Sequence, residues 1–409
     1  MSRRKRHTSD DDWISTLPDE LLHHIMSFLQ AREAVHTCLL SRRWQNVWPS
    51  VRFLNMDAAK FASLAQFKKF VDNFLLHRCC TSLDTLWLRI IYDDSGSSYF
   101  SDYSQIQPWV CHALRSNVQV LGIVHPFMAP SPLIIEGTFN SAHLKKLHLC
   151  RFEIIDAFVS KLSSGCLALE ELELIHCDIC VTEFSSTTLK RLTVTDSHFT
   201  IWGWHGDLLI DMPNLVSLCI KKLPVSNPYL VDVSSLETAT IYLDKYSFKN
   251  SDTHCNVLSA LSNAASLESL YLTVHNKIAI KVLARDVLRC GTLGNLRTLS
   301  LGEWCLGTDC SALLHLLRRS PKIEKLILNL TDYGASNYDH PKHNADAEAN
   351  SACNERETPF SCGSLKKILI NCPRGDKRAD TVARILFANI TSKPELQINP
   401  SKRRHVRRF

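Results

Sequence analysis

From Leu83 onward the chain repeats one apolar spacing, Leu-x-x-Leu-x-Leu, with Val, Ile or Ala substituting at some positions. The triplets are Leu83, Leu86, Leu88; Val118, Leu121, Ile123; Leu144, Leu147, Leu149; Leu169, Leu172, Leu174; Leu189, Leu192, Val194; and Leu215, Leu218, Ile220. They continue as Leu236, Ala239, Ile241; Leu267, Leu270, Leu272; Leu296, Leu299, Leu301; Ile323, Leu326, Leu328; and Leu365, Ile368, Ile370. The last two positions of each triplet stand two residues apart, which on a β-strand turns both side chains to one side. Starts fall between 20 residues apart (Leu169 to Leu189) and 42 apart (Ile323 to Leu365), so the array is irregular, and Ala239 marks its weakest unit. Ala157 to Leu162 and Ala312 to Leu317 read as helices returning outside the strands. Ahead of the array the period is helical. Leu21, Leu22, Ile25, Phe28 and Leu29 make one stripe on a helix that begins at Pro18, with Asp19 and Glu20 complementing its positive end. A second helix after Gln30 carries Ala34, Val35, Cys38 and Leu39, and a third, capped by Ser41, holds Trp44, Val47 and Trp48 and stops at Pro49. Three helices in so short a stretch cannot bury this apolar surface among themselves, so a partner is expected.

The repeated triplet is the signature of a leucine-rich repeat. Stacked units pair their strands into a parallel sheet, and the predicted fold class is α/β: a three-helix N-terminal module followed by an irregular solenoid, with a parallel sheet on the concave face and helices and loops on the convex face. Residues flanking the inward pair point onto the concave face. They include Trp87, Arg89, Lys146, His148, Glu171, Glu173, Arg191, Lys221, Tyr242, Tyr271, Lys325 and Lys367. Such faces commonly bind partners. Six positives against two acids favour an acidic or phosphorylated target segment.

Leu17-Pro18-Asp19-Glu20-Leu21-Leu22, then Ile25, Phe28 and Leu29, then Ser41-Arg42-Arg43-Trp44 and Trp48 resemble an F-box, over residues 13 to about 57. The resemblance implies docking to a Skp-type adaptor, and through it to a cullin scaffold and a RING subunit that recruits the ubiquitin-charged enzyme. Carried over by position, the adaptor-facing residues would be Leu17, Pro18, Leu21, Leu22, Ile25, Phe28, Val35, Cys38 and Trp48, some of which would instead form the module's own core. Phe67 to Arg89, with Phe70-Val71-Asp72-Asn73 ahead of Leu83-Asp84-Thr85-Leu86, resembles the junction of plant F-box proteins with irregular repeats. Residues 365–396 are loosely similar to the tail domain of such proteins.

Composition narrows the reading. With 45% hydrophobic and 22% charged residues the 409-residue chain is expected to fold over most of its length. The net charge of +6 is carried by nine cations in the two termini, without which the body lies near −3. A near-neutral body argues against a broad phosphate-binding face, so no nucleic-acid partner is expected. The termini themselves read as import signals, nucleic-acid contacts or solvated tails. No apolar segment follows the first charged residues, and no apolar run reaches the ~20 residues of a membrane span. An intracellular protein of the nucleus or cytoplasm, without a membrane partner, is therefore expected. Sixteen cysteines in that setting should be thiols. Cys177 and Cys180 beside His176 lack a second ligand pair at zinc-finger distance, and no metal or other cofactor is expected.

The organisation anticipated is a disordered tail (1–12), the helical module (13–57), repeats (58–330), a mobile polar insertion (331–361), a terminal repeat or cap (362–400) and a basic tail (401–409). No nucleophile, phosphate-loop or zinc-protease motif is present, so the chain reads as a non-catalytic subunit. Its function is then substrate recognition for a Skp-cullin-F-box ubiquitin ligase. The alternatives are a non-ligase repeat scaffold or a small-molecule, hormone-like sensor.

Overall fold

Each of the eleven triplets places its last two apolar residues in a strand, as the alternation requires. The structure is a computed structural model that describes residues 16–78, 82–90, 106–125, 131–132, 140–199, 208–221, 228–243, 255–274, 277–306, 310–330 and 359–401. Two units, Met1–Asp178 and Ile179–Phe409, divide the chain.

In the first unit three short helices, α1 (Asp19–Ser27), α2 (Ala31–His36) and α3 (Trp44–Val47), precede the strands. Pro18 is the residue before the helix, and its carbonyl accepts the amides of Leu21 and Leu22. Gln30 and Glu33 form a reciprocal capping box at α2, with the Gln30 amide donating to Glu33 Oε2 at 3.0 Å. Two sequence expectations fail at α3. Arg43 occupies the cap position, not Ser41, and Pro49 does not stop the chain but sits inside a 3₁₀ turn, Trp48–Ser50, whose early N–H positions need no donor.

The strands that follow are β1 (Phe53–Asp57), β2 (Thr85–Arg89), β3 (Val120–Val124), β4 (Lys146–Cys150) and β5 (Glu171–Ile175), all parallel and paired in order. β1 lies upstream of the first triplet. It extends the sheet into the segment read as helical module, because Val51, Leu54 and Met56 repeat the triplet with Met in the last place. Three helices return between strands: α4 (Leu64–Leu76), α5 (Gln107–Arg115) and α6 (Asp156–Gly165). α4 and α5 meet through Phe67 and Trp109, edge to face at 5.9 Å, while the Trp109 indole N–H donates to Asp72 Oδ1 at 2.7 Å. Arg151 and His176, directly after β4 and β5, hold left-handed backbone that turns the chain out of the sheet. His176 thus has a turn role, and the neighbouring Cys177 is buried with its thiol donating to the Leu149 carbonyl. Burial pushes that thiol up to about 12.

The second unit carries β6 (Arg191–Thr195), β7 (Ser217–Lys221), β8 (Thr238–Leu243), β9 (Ser269–Val274), β10 (Thr298–Gly302), β11 (Lys325–Asn329), β12 (Lys367–Pro373) and β13 (Glu395–Ser401). They too are parallel and paired in order. The strand with Ala239 pairs in register on both sides, so the weakest triplet still holds a full repeat. Four helices return behind these strands: α7 (Val257–Leu261), α8 (Lys277–Arg289), α9 (Ser311–Arg318) and α10 (Lys377–Asn389). Asp286 on α8 is buried and accepts the amides of Leu258 (2.6 Å) and Ser259 (3.2 Å) and the Ser259 hydroxyl (2.7 Å), tying α8 to the start of α7.

The expected tail at 1–12 and residues 402–409 of the expected basic tail lie outside the described residues, as does 331–358 of the insertion. The ends of two expected segments are corrected. Phe360 bridges Ile390 and lies under the Arg318 guanidinium, so the polar segment ends before it, and Ser401 closes β13.

Asp376 caps α10. Its carboxylate accepts the Arg378 amide at 2.9 Å and the Arg378 guanidinium at 2.6 Å, and that hydrogen bonding holds its pKa below the ordinary value. A depressed carboxylate stabilises the fold above its unfolded pKa and loses that contribution as pH falls through the folded value. Asp376→Ala should therefore cost about 1 kcal/mol near neutral pH. The gap from wild type should close below about pH 4, read from urea midpoints at several pH values.

Candidate functional site

Two surfaces gather the residues singled out from sequence. On the N-terminal module, helical spacing puts Leu21, Ile25 and Phe28 on one face of α1, and all three are exposed, Phe28 at 76%. Leu39 and Leu40, in and just after the 3₁₀ turn Thr37–Leu39, are 88% and 65% exposed. Leu40 was not anticipated, and Leu39 was read only as part of a helix stripe. The opposite face of α1 buries Leu22 completely, together with Met26, so Leu22 is a core residue and not part of a docking surface. Leu17, Val35, Cys38 and Trp48 are half-buried and Pro18 is exposed. Trp48 turns toward the repeats, its ring 5.1 Å from that of Phe74 on α4. Burial raises the Cys38 thiol. Arg43 fixes the start of α1 by donating to the Leu17 carbonyl and to Asp19 Oδ1, each at 2.5 Å.

The second surface is the outward face of the strands. In the first unit one row crosses four strands in register: Trp87, Gly122, His148 and Glu173. The six-membered ring of Trp87 fills the space where a β-carbon on Gly122 would stand, 2.2 Å from its Cε3. It reaches His148 with ring centroids 4.9 Å apart, and His148 Nδ1 lies 3.0 Å from Glu173 Oε2. His148 is consequently buried under this row and is not the free surface residue that strand parity suggested. Around the row, Val120, Val124 and Ile175 point outward and are half-exposed.

In the first unit the expected positive face is corrected by pairing. Lys146 Nζ lies 3.1 Å from Glu171 and 3.8 Å from Glu173, and Lys367 lies 3.8 Å from Glu395. Asp57 on β1, a strand absent from the sequence reading, stands opposite Arg89 in register. In the first unit Asp57, Glu171 and Glu173 thus share the outward face with Arg89 and Lys146, and no positive surplus is left there, whereas in the second unit Arg191, Lys221, Lys325 and Lys367 meet Glu395 as the one acid among the described outward strand positions. In the second unit Arg191, Lys221 and Tyr271 are exposed and Tyr242, Lys325 and Lys367 half-buried.

Sequence reasoning missed an amide ladder. Asn399 Nδ2 donates to Asn371 Oδ1 (3.1 Å), Asn371 to Asn329 (2.8 Å), and Asn329 to Ser300 Oγ (3.1 Å). Its signal was available, since Leu-Ile-Leu-Asn, Ile-Leu-Ile-Asn and Leu-Gln-Ile-Asn recur in successive strands with Asn at one position. Among the described residues no group of His, Cys, Asp or Glu is arranged to hold a metal ion. No described helix is long and apolar enough to cross a membrane.

Comparison with known proteins matches residues 14–56 to the F-box domain and residues 50–372 to the At1g61320/AtMIF1 LRR domain. Among similar proteins, the F-box/LRR-repeat protein At4g14096 of Arabidopsis thaliana is 28% identical over 77% of this chain and 72% of its own length. The MEIOTIC F-BOX protein MOF of Oryza sativa subsp. japonica is 26% identical over 92% of this chain and 83% of its own. The F-box/FBD/LRR-repeat protein At5g53840 of Arabidopsis thaliana is 25% identical over 80% and 76%.

Any side chain at Gly122 must displace Trp87. Gly122→Ala should destabilise the chain by about 1–3 kcal/mol, and the same substitution in a Trp87→Ala background should cost far less. A double-mutant cycle by urea denaturation measures that coupling; additive effects would mean that the ring does not depend on the missing β-carbon.

Proposed function

The chain belongs to the plant F-box proteins with leucine-rich repeats, and on that premise we propose that it is the substrate-recognition subunit of a Skp-cullin-F-box ubiquitin ligase. The observation that carries the reading is the exposed apolar set Leu21, Ile25, Phe28, Leu39 and Leu40 on a module whose interior is already filled by Leu22, Met26, Ala31, Ala34, Trp44 and Val47. A filled core leaves these five with no role in the module's own folding. An apolar surface of this kind on a small helical domain is a docking site for a protein. The adaptor is the partner an F-box implies, and cullin and RING subunits follow through it.

In this reading the chain performs no bond chemistry. It holds a target lysine near the ubiquitin thioester of the recruited enzyme and thereby raises its effective concentration. Target capture falls to the outward strand face. There Trp87, with Val120, Val124 and Ile175, offers an apolar centre, while Lys146, Glu171 and Glu173 neutralise one another at its side. An apolar centre with a paired polar rim is the anatomy of a protein-binding patch, and Trp is a frequent anchor residue in such patches. On the first unit the preferred target element is therefore one with an apolar anchor side chain, where charge counting suggested an acidic segment.

Phe28→Ser with Leu39→Ser should reduce co-purification of the adaptor at least tenfold, equivalent to about 1.4 kcal/mol or more, with the thermal midpoint unchanged because both side chains are exposed. Leu22→Ala should instead destabilise the module by about 2–5 kcal/mol. Adaptor binding that survives the double substitution would refute the docking assignment. Trp87→Ala should leave adaptor binding intact and abolish ubiquitination of targets that accumulate on the wild-type complex.

A further inference from the structure

In the second unit several cations are paired: Arg297 with Glu324 (2.7 Å), Lys366 with Glu324 (2.7 Å), Lys367 with Glu395 (3.8 Å) and, on α10, Arg378 with Asp376 (2.6 Å). On the other three returning helices the balance differs. α7, α8 and α9 pack side by side and contain a single acid, Asp286. Its carboxylate is buried and turned to the Leu258 and Ser259 amides, so it neutralises nothing on the outer surface. The outer surface of α8 carries Lys281, Arg285 and Arg289 at four-residue intervals, all exposed. Among the described residues neither Lys281 nor Arg285 has an acidic partner.

Four residues of α-helix rise about 6 Å and turn about 40° past a full turn, so the three cations form one slanted ridge. Leu288 flanks the row at 61% exposure, with Ala284 one turn before it, also exposed. The face turned away from the sheet is therefore itself amphipathic: a cationic row beside a short apolar strip. A solvated helix face gains nothing from a leucine, a phosphate backbone would engage the cations alone, and a bilayer would gain little from one leucine, because the remaining apolar side chains Val282, Leu283 and Val287 are buried against the protein. An acidic helix with Glu or Asp at four-residue spacing and an apolar residue beside them satisfies both features, because two helices with matching i, i+4 rows pack ridge against groove.

We propose that α8 is a second docking surface, distinct from the adaptor and target surfaces, that receives an acidic amphipathic helix of a protein partner through Lys281, Arg285, Arg289 and Leu288. The attraction is electrostatic at the rim and apolar beside it. Binding should weaken as salt screens the cations but should not vanish, since screening leaves the leucine contact in place.

The test is fluorescence anisotropy of the full chain, co-purified with its adaptor, against a labelled alanine-based peptide of about 20 residues, long enough to be helical. The peptide carries Glu at every fourth position and a Leu strip beside them. A peptide with Gln in place of Leu, a short mixed-sequence DNA duplex, and phosphatidylcholine vesicles containing phosphatidylserine serve as competing probes. Lys281→Glu with Arg285→Glu should weaken binding of the Leu-bearing peptide at least tenfold, and Leu288→Ser about threefold, with unchanged thermal midpoints. Should the charge reversal impair folding, Lys281→Gln with Arg285→Gln gives the same comparison, and Lys281→Arg should retain wild-type binding. Equal affinity of the wild-type and substituted chains for the peptide overturns the proposal. So does tighter binding of the duplex or the vesicles than of the peptide, or indifference to the loss of the Leu strip. Adaptor retention, read in the same preparations, is independent of each of these outcomes.

Discussion

The parallel ladder between neighbouring repeats is the constraint on which everything else rests. One repeat strand supplies two inward leucines or isoleucines and a row of backbone groups, and neither is satisfied alone. In-register pairing with the next strand satisfies the backbone, and the next inward pair covers the last. Leu299 and Leu301 are fully buried because Leu270, Leu272, Leu326 and Leu328 flank them across β9, β10 and β11. Each such side chain stabilises by about 1.5–3 kcal/mol through burial. Where the ladder ends the logic inverts: Ile398 on β13 follows inward parity and is still exposed, having no further strand among the described residues to cover it. The Glu395 amide donates back to Lys366, so Pro400, of the other parity, falls on the open edge, where its missing N–H blunts further pairing.

Once the ladder is in place, the outward columns follow from it without further choice. Side chains at one register position stand a strand spacing apart, close enough for a polar group to bond its counterpart in the next repeat. Three asparagines at one position become an amide ladder, and Lys146 meets Glu171. Gly122 breaks the column, and the vacancy admits Trp87, which braces His148 and through it Glu173. The most specific feature of the strand face thus depends on a missing β-carbon in the strand next to the tryptophan.

The N-terminal module obeys a different constraint. It is too small to bury its own apolar inventory, and it resolves this by facing in two directions. Leu22, Met26, Trp44 and Val47 close inward, and Trp48 leans on Phe74 of the first repeat helix. Phe28, Leu39 and Leu40 are left to a partner. The returning helices of the second unit show a milder form of the same separation. Val282, Leu283 and Val287 of α8 are buried, while the cations and Leu288 are turned out.

Periodicity alone determined the parallel strands, the inward leucines and the helical start of the chain, because side-chain direction in a strand or helix is a property of local geometry. It also located the apolar stripe of α1, but not which half would be core. Leu22 and Leu21 are adjacent, and only the packing of α1 against α3 and the 3₁₀ turn Trp48–Ser50 buries one and leaves the other exposed. In the first unit charge counting failed for the same reason. A lysine's partner is set by register, so the pairing of Lys146 with Glu171, and the presence of Asp57 opposite Arg89 on an unforeseen first strand, emerge only when strands are laid side by side. Parity could likewise say that Trp87 and His148 face outward, but not that Trp87 would lie across Gly122 and cover His148. Local chemistry, written in consecutive residues, was legible in the sequence; whatever depended on which repeat lies beside which was decided by the tertiary structure.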